Sequence, residues 1–300
     1  LLDNKGLCNL TTVNVYAFVD EKGNLDEKAL IRAQRLSARA AYRMTCVELE
    51  LSQWDRVQQR DKITGCSLTG WQDMVNAVGL DMEKQAELLR KLRDAAKDEA
   101  ERYASEIGER APILVTTVKP EGTLSQLPGV SCGVHYSHSP YFLRRVRINS
   151  HDPLVKVCEE LGYSIYPEVG QEIKTCTTKV VEFPERAPMG KTKYDVTAIE
   201  QLENYKLFME NYVDHNCSIT IHVRDNEWEQ VEKWVWDNWD DVVALSFLSL
   251  DDSFYQLMPY ESITEEEYNK RIKEMKPFIP SLLNKYEAQE SDLDVGTESC

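Results

Sequence analysis

No two of the eight cysteines stand in a Cys-x-x-Cys pair, and a structural zinc site is therefore not expected. No apolar run approaches the length of a membrane span, and no signal-peptide pattern opens the chain, which makes a cytoplasmic location the expectation. Basic residues are few, 35 against 51 acidic, for a formal net charge of −16 and a pI of about 4.9. That balance opposes non-specific attraction to nucleic acid or to anionic lipid, so neither is expected as a partner. Any phosphate ligand must be held by local structure. Internal repeats are absent, and the apparent strands are too few for a full eight-fold barrel.

What is present suits a globular chain of one large domain or two ordinary ones: 300 residues, 42% hydrophobic. The cysteines, at 8, 46, 66, 132, 158, 176, 217 and 300, are expected to be mostly reduced thiols buried as small hydrophobes, with one or two left for chemistry. The chain opens on Leu1 and closes on Cys300 after a polar acidic stretch, so both ends are expected to be cut from something longer.

Apolar residues at helical spacing predict helices over 27–44, 82–107, 153–161, 196–213 and 225–239, and another starting at Thr264. Thr197 with Glu200, and Thr264 with Glu267, have capping-box spacing. "ILVTTV" ending at Pro120 reads as a buried parallel-type strand over Val115–Val118, and "TTKVVEFP", "CSITIHV" and "VVALSFLSL" as further strands. Alternation of helix and strand predicts an α/β architecture with helices outside. From Tyr286 onward apolar periodicity ends and the chain is expected to be mobile.

After that strand, "KPEGTLSQLPG" combines Pro120, a permissive Gly122, and the hydroxyls of Thr123 and Ser125. A turn so built can bind an anion, and it sits at the carboxyl end of a strand, where α/β proteins place ligands. It lacks the Gly-Lys-Ser/Thr ending of a Walker loop and is not a dinucleotide fingerprint. An ordinary strand-to-loop turn is the competing reading.

The run Lys119-Pro120-Glu121-Gly122-Thr123-Leu124-Ser125, followed by "LPGVSCGVH", resembles the substrate-phosphate loop of ribonucleotide reductases, whose pattern is Pro-x-Gly-Thr-x-Ser. The opening "LLDNKGLCNLTTVNV" is similar to the segment of that family whose Leu-Cys-x-Leu motif carries a redox-active cysteine, here Cys8. "KITGCSLTGWQDMV" and "DSFYQLMPYESIT" resemble the monomeric adenosylcobalamin-dependent (class II) reductases in particular. The resemblance implies the second half of a ten-stranded α/β barrel over residues 1–285, with helices outside, followed by a flexible redox tail over 286–300. Two departures accompany it. The family's Asn-x-Cys-x-Glu finger loop, with the radical cysteine, is expected immediately before Leu1, and of the two tail cysteines only Cys300 is present.

The resemblance implies reduction of ribonucleotides, triphosphates by analogy with monomeric relatives, to deoxyribonucleotides by thiyl-radical chemistry started by adenosylcobalamin. Cys8 would supply one of two reducing thiols, Cys300 would exchange with the resulting disulfide, and thioredoxin or a similar reductant would restore the tail. Pro120, Glu121, Gly122, Thr123, Leu124 and Ser125 would hold the substrate, with His135 as a further candidate. No protein-ligated metal is implied, the full-length form would be a monomer, and these residues alone would be inactive. The alternatives are a nucleotide- or phosphate-binding α/β fragment without radical chemistry, and a class I large subunit driven by a separate metal-radical subunit. The latter relays its radical through two adjacent tyrosines; no Tyr-Tyr pair occurs among the 14 tyrosines. Elsewhere, His138 and Cys132 read as structural, and Arg144, Arg145 and Arg147 as partners of nearby acids, the last two on one strand face. Trp228, Val231, Val235 and Trp239 read as one core-packing helix face.

Overall fold

The computed structural model describes residues 3–250 and 255–294, with side chains through Glu287. In chain order the elements are β1 (Asn9–Asn14), α1 (Glu27–Thr45), α2 (Ser52–Asp61), β2 (Thr64–Thr69), α3 (Trp71–Val78) and α4 (Met82–Glu106). There follow β3 (Tyr141–Asn149), α5 (Pro153–Glu160), β4 (Ile165–Pro167), β5 (Thr178–Arg186), α6 (Ala198–Asn211) and β6 (Thr220–Val223). The last are α7 (Trp228–Asp237), β7 (Ser246–Ser249), β8 (Tyr260–Ser262), α8 (Glu265–Glu274) and α9 (Ser281–Asp294). Two compact units result, one from the described residues up to Ser137 with those from Pro188 to 250, the other from His138–Ala187 with those from 255 onward.

In the first unit β1 pairs in parallel with β2, Asn9 opposite Thr64 through Asn14 opposite Thr69. The strand predicted at Val115–Val118 is extended but makes only single parallel bridges, Thr116 to Cys66 and Val118 to Cys217. Its ladder is interrupted because the Asp214 carboxylate accepts the Val115 N–H at 2.9 Å. The bonds on either side still join it to β2 (Cys66 N–H to the Val115 carbonyl, 2.8 Å) and to the residues before β6 (Ser218 N–H to the Val118 carbonyl, 3.0 Å). With β6 parallel to β7, the parallel neighbours are β1, β2, 114–118, 216–223 and β7, in chain order. Helices connect them, as parallel pairing requires.

Strand alternation assigns the two faces. Val13, Leu68, Val118, Ile219, Ile221 and Val223 pack in one core with residues of α3, α4 and α6, among them Trp71, Leu89 and Phe208. Cys66 and Val115 pack with alanines of α1 and α4. The opposite face carries Cys8, Leu10, Thr12, Gly65, Thr117 and Lys119.

Helix starts follow the caps: Thr197 and Glu200 form a reciprocal capping box, and Thr264 accepts the Glu267 N–H. The tryptophan-rich helix departs from its reading. Its buried residues are Val231 and Trp234, whereas Trp228 is 40% and Trp239 67% exposed. Trp239 falls beyond the helix, which ends at Asp237, so the four-residue spacing no longer holds it on the packed side.

The second unit is an antiparallel sheet of order β4-β5-β3-β8. Arg145, buried in it, donates to Glu182 at 2.7 Å and pairs with Glu261 at 2.6 Å, while Arg147 pairs with Glu168. Both reach the 257–258 carbonyls, as residues of one strand face should. The segment from Tyr286, where apolar periodicity ends, is helical within α9 as far as Asp294. Its early turns are fastened to α5: Tyr286 donates to Glu160 at 2.5 Å, and so does Lys285 at 3.0 Å.

Candidate functional site

Where the chain leaves the parallel sheet, the Lys119 N–H donates to the Ser67 hydroxyl at 2.9 Å. Pro120 follows, and Glu121 then takes the left-handed backbone conformation, φ 61°. The left-handed geometry expected of Gly122 belongs instead to its neighbour Glu121. The Ser125 N–H closes the turn on the Glu121 carbonyl at 3.0 Å, and a single 3-10 turn covers Leu124–Gln126. Gly122, Thr123 and Leu124 form the exposed tip.

Side chains behind the tip point inward. Ser125 is buried, its hydroxyl 3.2 Å from Cys132 Sγ, so the hydroxyl presented at the tip is that of Thr123. Glu121 folds back onto the sheet, where Oε1 accepts the Thr12 hydroxyl at 2.6 Å. Lys119 Nζ donates to Thr12 Oγ1 at 2.8 Å and lies 3.4 Å from Glu121 Oε1. Thr12 was not legible in the sequence, because its partners Lys119 and Glu121 lie more than a hundred residues further along the chain.

The return segment 130–137 buttresses the loop. Asp73, in the first turn of α3, accepts the Ser131 N–H at 2.6 Å, and burial pushes its carboxyl pKa up. Gly133 has φ +50°, and a β-carbon there would come 2.8 Å from the Lys119 carbonyl oxygen. His135 joins this segment to β6. Its Nε2 accepts the Thr220 N–H at 2.9 Å, so the proton sits on Nδ1, which donates to the Cys132 carbonyl at 2.9 Å. Burial lowers its pKa, and both nitrogens are engaged by backbone. The ring therefore positions the loop.

Cys8 stands just ahead of β1 on the same face as Thr12 and Lys119, its sulfur over Gly65. It is a half-buried free thiol, and burial pushes its pKa up to about 11. Cys300 lies outside the described residues. A groove of about 650 Å³ lined by Gln72, Asn76, Tyr136, Lys191, Glu200 and Asn204 includes no residue of the 120–125 loop. Among the described residues no group of three or more His, Cys, Asp or Glu side chains could hold a metal ion, and no helix is long and apolar enough to cross a membrane.

No protein-family model matches the chain. The chain is homologous over most or all of its length to a region of proteins named adenosylcobalamin-dependent ribonucleoside-triphosphate reductase. The Lactobacillus acidophilus protein is 27% identical over 100% of this chain and 43% of its own length, and that of Euglena gracilis 29% over 92% and 37%. A Dictyostelium discoideum protein with the same name, qualified as probable, is 30% identical over 79% of this chain and 32% of its own. The chain thus spans well under half of these relatives. Its α/β fold matches a crystal structure of a B-12 dependent (class II) ribonucleotide reductase, with TM-score 0.82 and 24% identity over 96% of this chain and 43% of that one. An Actinobacillus ureae class Id ribonucleotide reductase alpha subunit matches less well, with TM-score 0.52 and 17% identity over 81% of this chain and 50% of that one.

Proposed function

We propose that this chain is the part of an adenosylcobalamin-dependent ribonucleoside-triphosphate reductase that carries the substrate-phosphate loop and one of the two reducing thiols. The observation that supports it most is the shared sheet face: Cys8, Thr12 and Lys119 lie together there, and the 120–125 loop leaves its edge. Relatives bearing that reductase name over 79–100% of the chain favour the reading over a bare phosphate-binding module. They also favour it over a class I large subunit.

The tip amides of Gly122 and Thr123, with the Thr123 hydroxyl, would take the substrate phosphates, and His135 and Asp73 would keep the tip in place. Cys8 would donate an electron and a proton as it closes a disulfide with a second thiol, delivering half of the two electrons the reduction consumes. The Cys300 thiol would reopen that disulfide by exchange, and thioredoxin or a similar reductant would restore it. Adenosylcobalamin would supply the initiating radical.

The test is deoxynucleotide formation by the full protein from ribonucleoside triphosphate with adenosylcobalamin and dithiothreitol. Turnover is expected, with KM raised or kcat lowered when Thr123→Val and Ser125→Ala are combined. Wild-type kinetics in that double variant would contradict the loop assignment.

A further inference from the structure

Lys119 and Glu121 flank Pro120 at the point where the sheet face gives way to the loop, and three features of their contact point the same way. Lys119 Nζ stands 3.4 Å from Glu121 Oε1, beyond the 2.7–2.9 Å of a close charged hydrogen bond. Glu121 Oε2 is buried with no hydrogen-bond partner, so the carboxylate is only half satisfied. The residue also holds a left-handed backbone that disfavours any side chain. Glu121 is fully enclosed, whereas the Lys119 side chain keeps 24% of its surface exposed. A ligand can therefore reach the cation but not the anion.

A carboxylate beneath an anion-binding turn opposes the ligand it is there to admit, unless it has a second task. We propose that Lys119 and Glu121 are an exchangeable counter-ion pair that makes the loop selective for polyphosphates: Glu121 holds Lys119 when no phosphate is bound, and a bound polyphosphate draws the lysine away. A triphosphate can occupy the tip amides with one group and Lys119 with another. A monophosphate must forgo one of the two, and the Glu121 charge then counts fully against it. Lys119 acts on the ligand directly; Glu121 is a positioning residue acting through Lys119 and Thr12. The inference rests on the loop reading given above.

The test is calorimetric titration of the full protein with CTP and with CMP, for wild type, Lys119→Met, Lys119→Arg and Glu121→Gln. Lys119→Met is expected to weaken CTP about tenfold and to erase most of the preference for CTP over CMP, while Lys119→Arg keeps both. Glu121→Gln is expected to tighten CTP by about threefold to tenfold, a gain that loss of structure does not produce. CTP binding that Thr123→Val with Ser125→Ala weakens, but that the Lys119 and Glu121 variants leave alone, would overturn the counter-ion pair and spare the loop reading. Failure of folded wild-type protein to bind CTP would overturn both.

Discussion

The sulfur of Cys8 lies directly over Gly65: a β-carbon at that glycine would come 2.8 Å from Cys8 Sγ, 2.5 Å from Leu10 Cδ2 and 2.8 Å from Thr117 Cγ2. Side chains from β1 and from 114–118 thus share space that only glycine leaves free. Gly65→Ala should destabilise the fold by about 1–3 kcal/mol through overpacking, and should shift the alkylation rate of Cys8. Denaturant unfolding and thiol labelling check this; a variant unchanged in both would show that the contact is slack.

The pH dependence of Cys8 follows from its burial. Desolvation disfavours the thiolate and pushes the pKa to about 11, so at neutral pH the group is a thiol. Labelling with iodoacetamide should be slow at pH 7.5 and should climb about tenfold per pH unit towards pH 11. A plateau near pH 9, as for an open cysteine, would contradict the environment described.

Acid should weaken the first unit through its histidines. His222 is held down to about 4, by burial first and then by Lys193 and His135, and burial also lowers His135 and His215. Above pH 6.5 both folded and unfolded chains hold these rings neutral. Below it the unfolded chain takes up protons that the folded one refuses, so stability falls from pH 6.5 down to about 4 for His222. His222→Asn should shrink the loss between pH 7.5 and pH 5 by up to about 2 kcal/mol, measured by urea unfolding at both pH values. An undiminished loss would place the acid sensitivity elsewhere.

Much of the helical frame was legible. The bounds of α1 and α4 fall within a residue of where periodicity puts them, and Leu88, Leu89, Leu92 and Ala96 of α4 are buried as their spacing implies; on α1 the stripe through Leu36, Ala40 and Met44 is exposed, and the buried face runs instead through Leu30, Gln34, Ala38 and Ala41. Periodicity failed on α7: with tryptophan on both sides of the helix, the choice of buried face is made by α6, where Glu203 accepts the Trp234 indole N–H at 2.6 Å. The antiparallel pairing of β3 with β5 was not legible either, since pairing across such sequence distances leaves no local pattern. At the site, the loop and Cys8 could be picked out by motif. The back-folding of Glu121 onto Thr12, the inward turn of Ser125 and the backbone-locked tautomer of His135 depend on contacts that close only in three dimensions.

The central claim is that the thiol above Gly65 is a reductant and not a packing residue. The most direct measurement is multiple-turnover reduction of a ribonucleoside triphosphate by the full protein carrying Cys8→Ser, with adenosylcobalamin and either dithiothreitol or thioredoxin, alongside nucleotide binding and thermal unfolding. Binding and folding are expected to persist while turnover is lost with both reductants, and Cys300→Ser is expected in contrast to keep the dithiothreitol-supported rate. Turnover at the wild-type rate in the Cys8→Ser protein would contradict it.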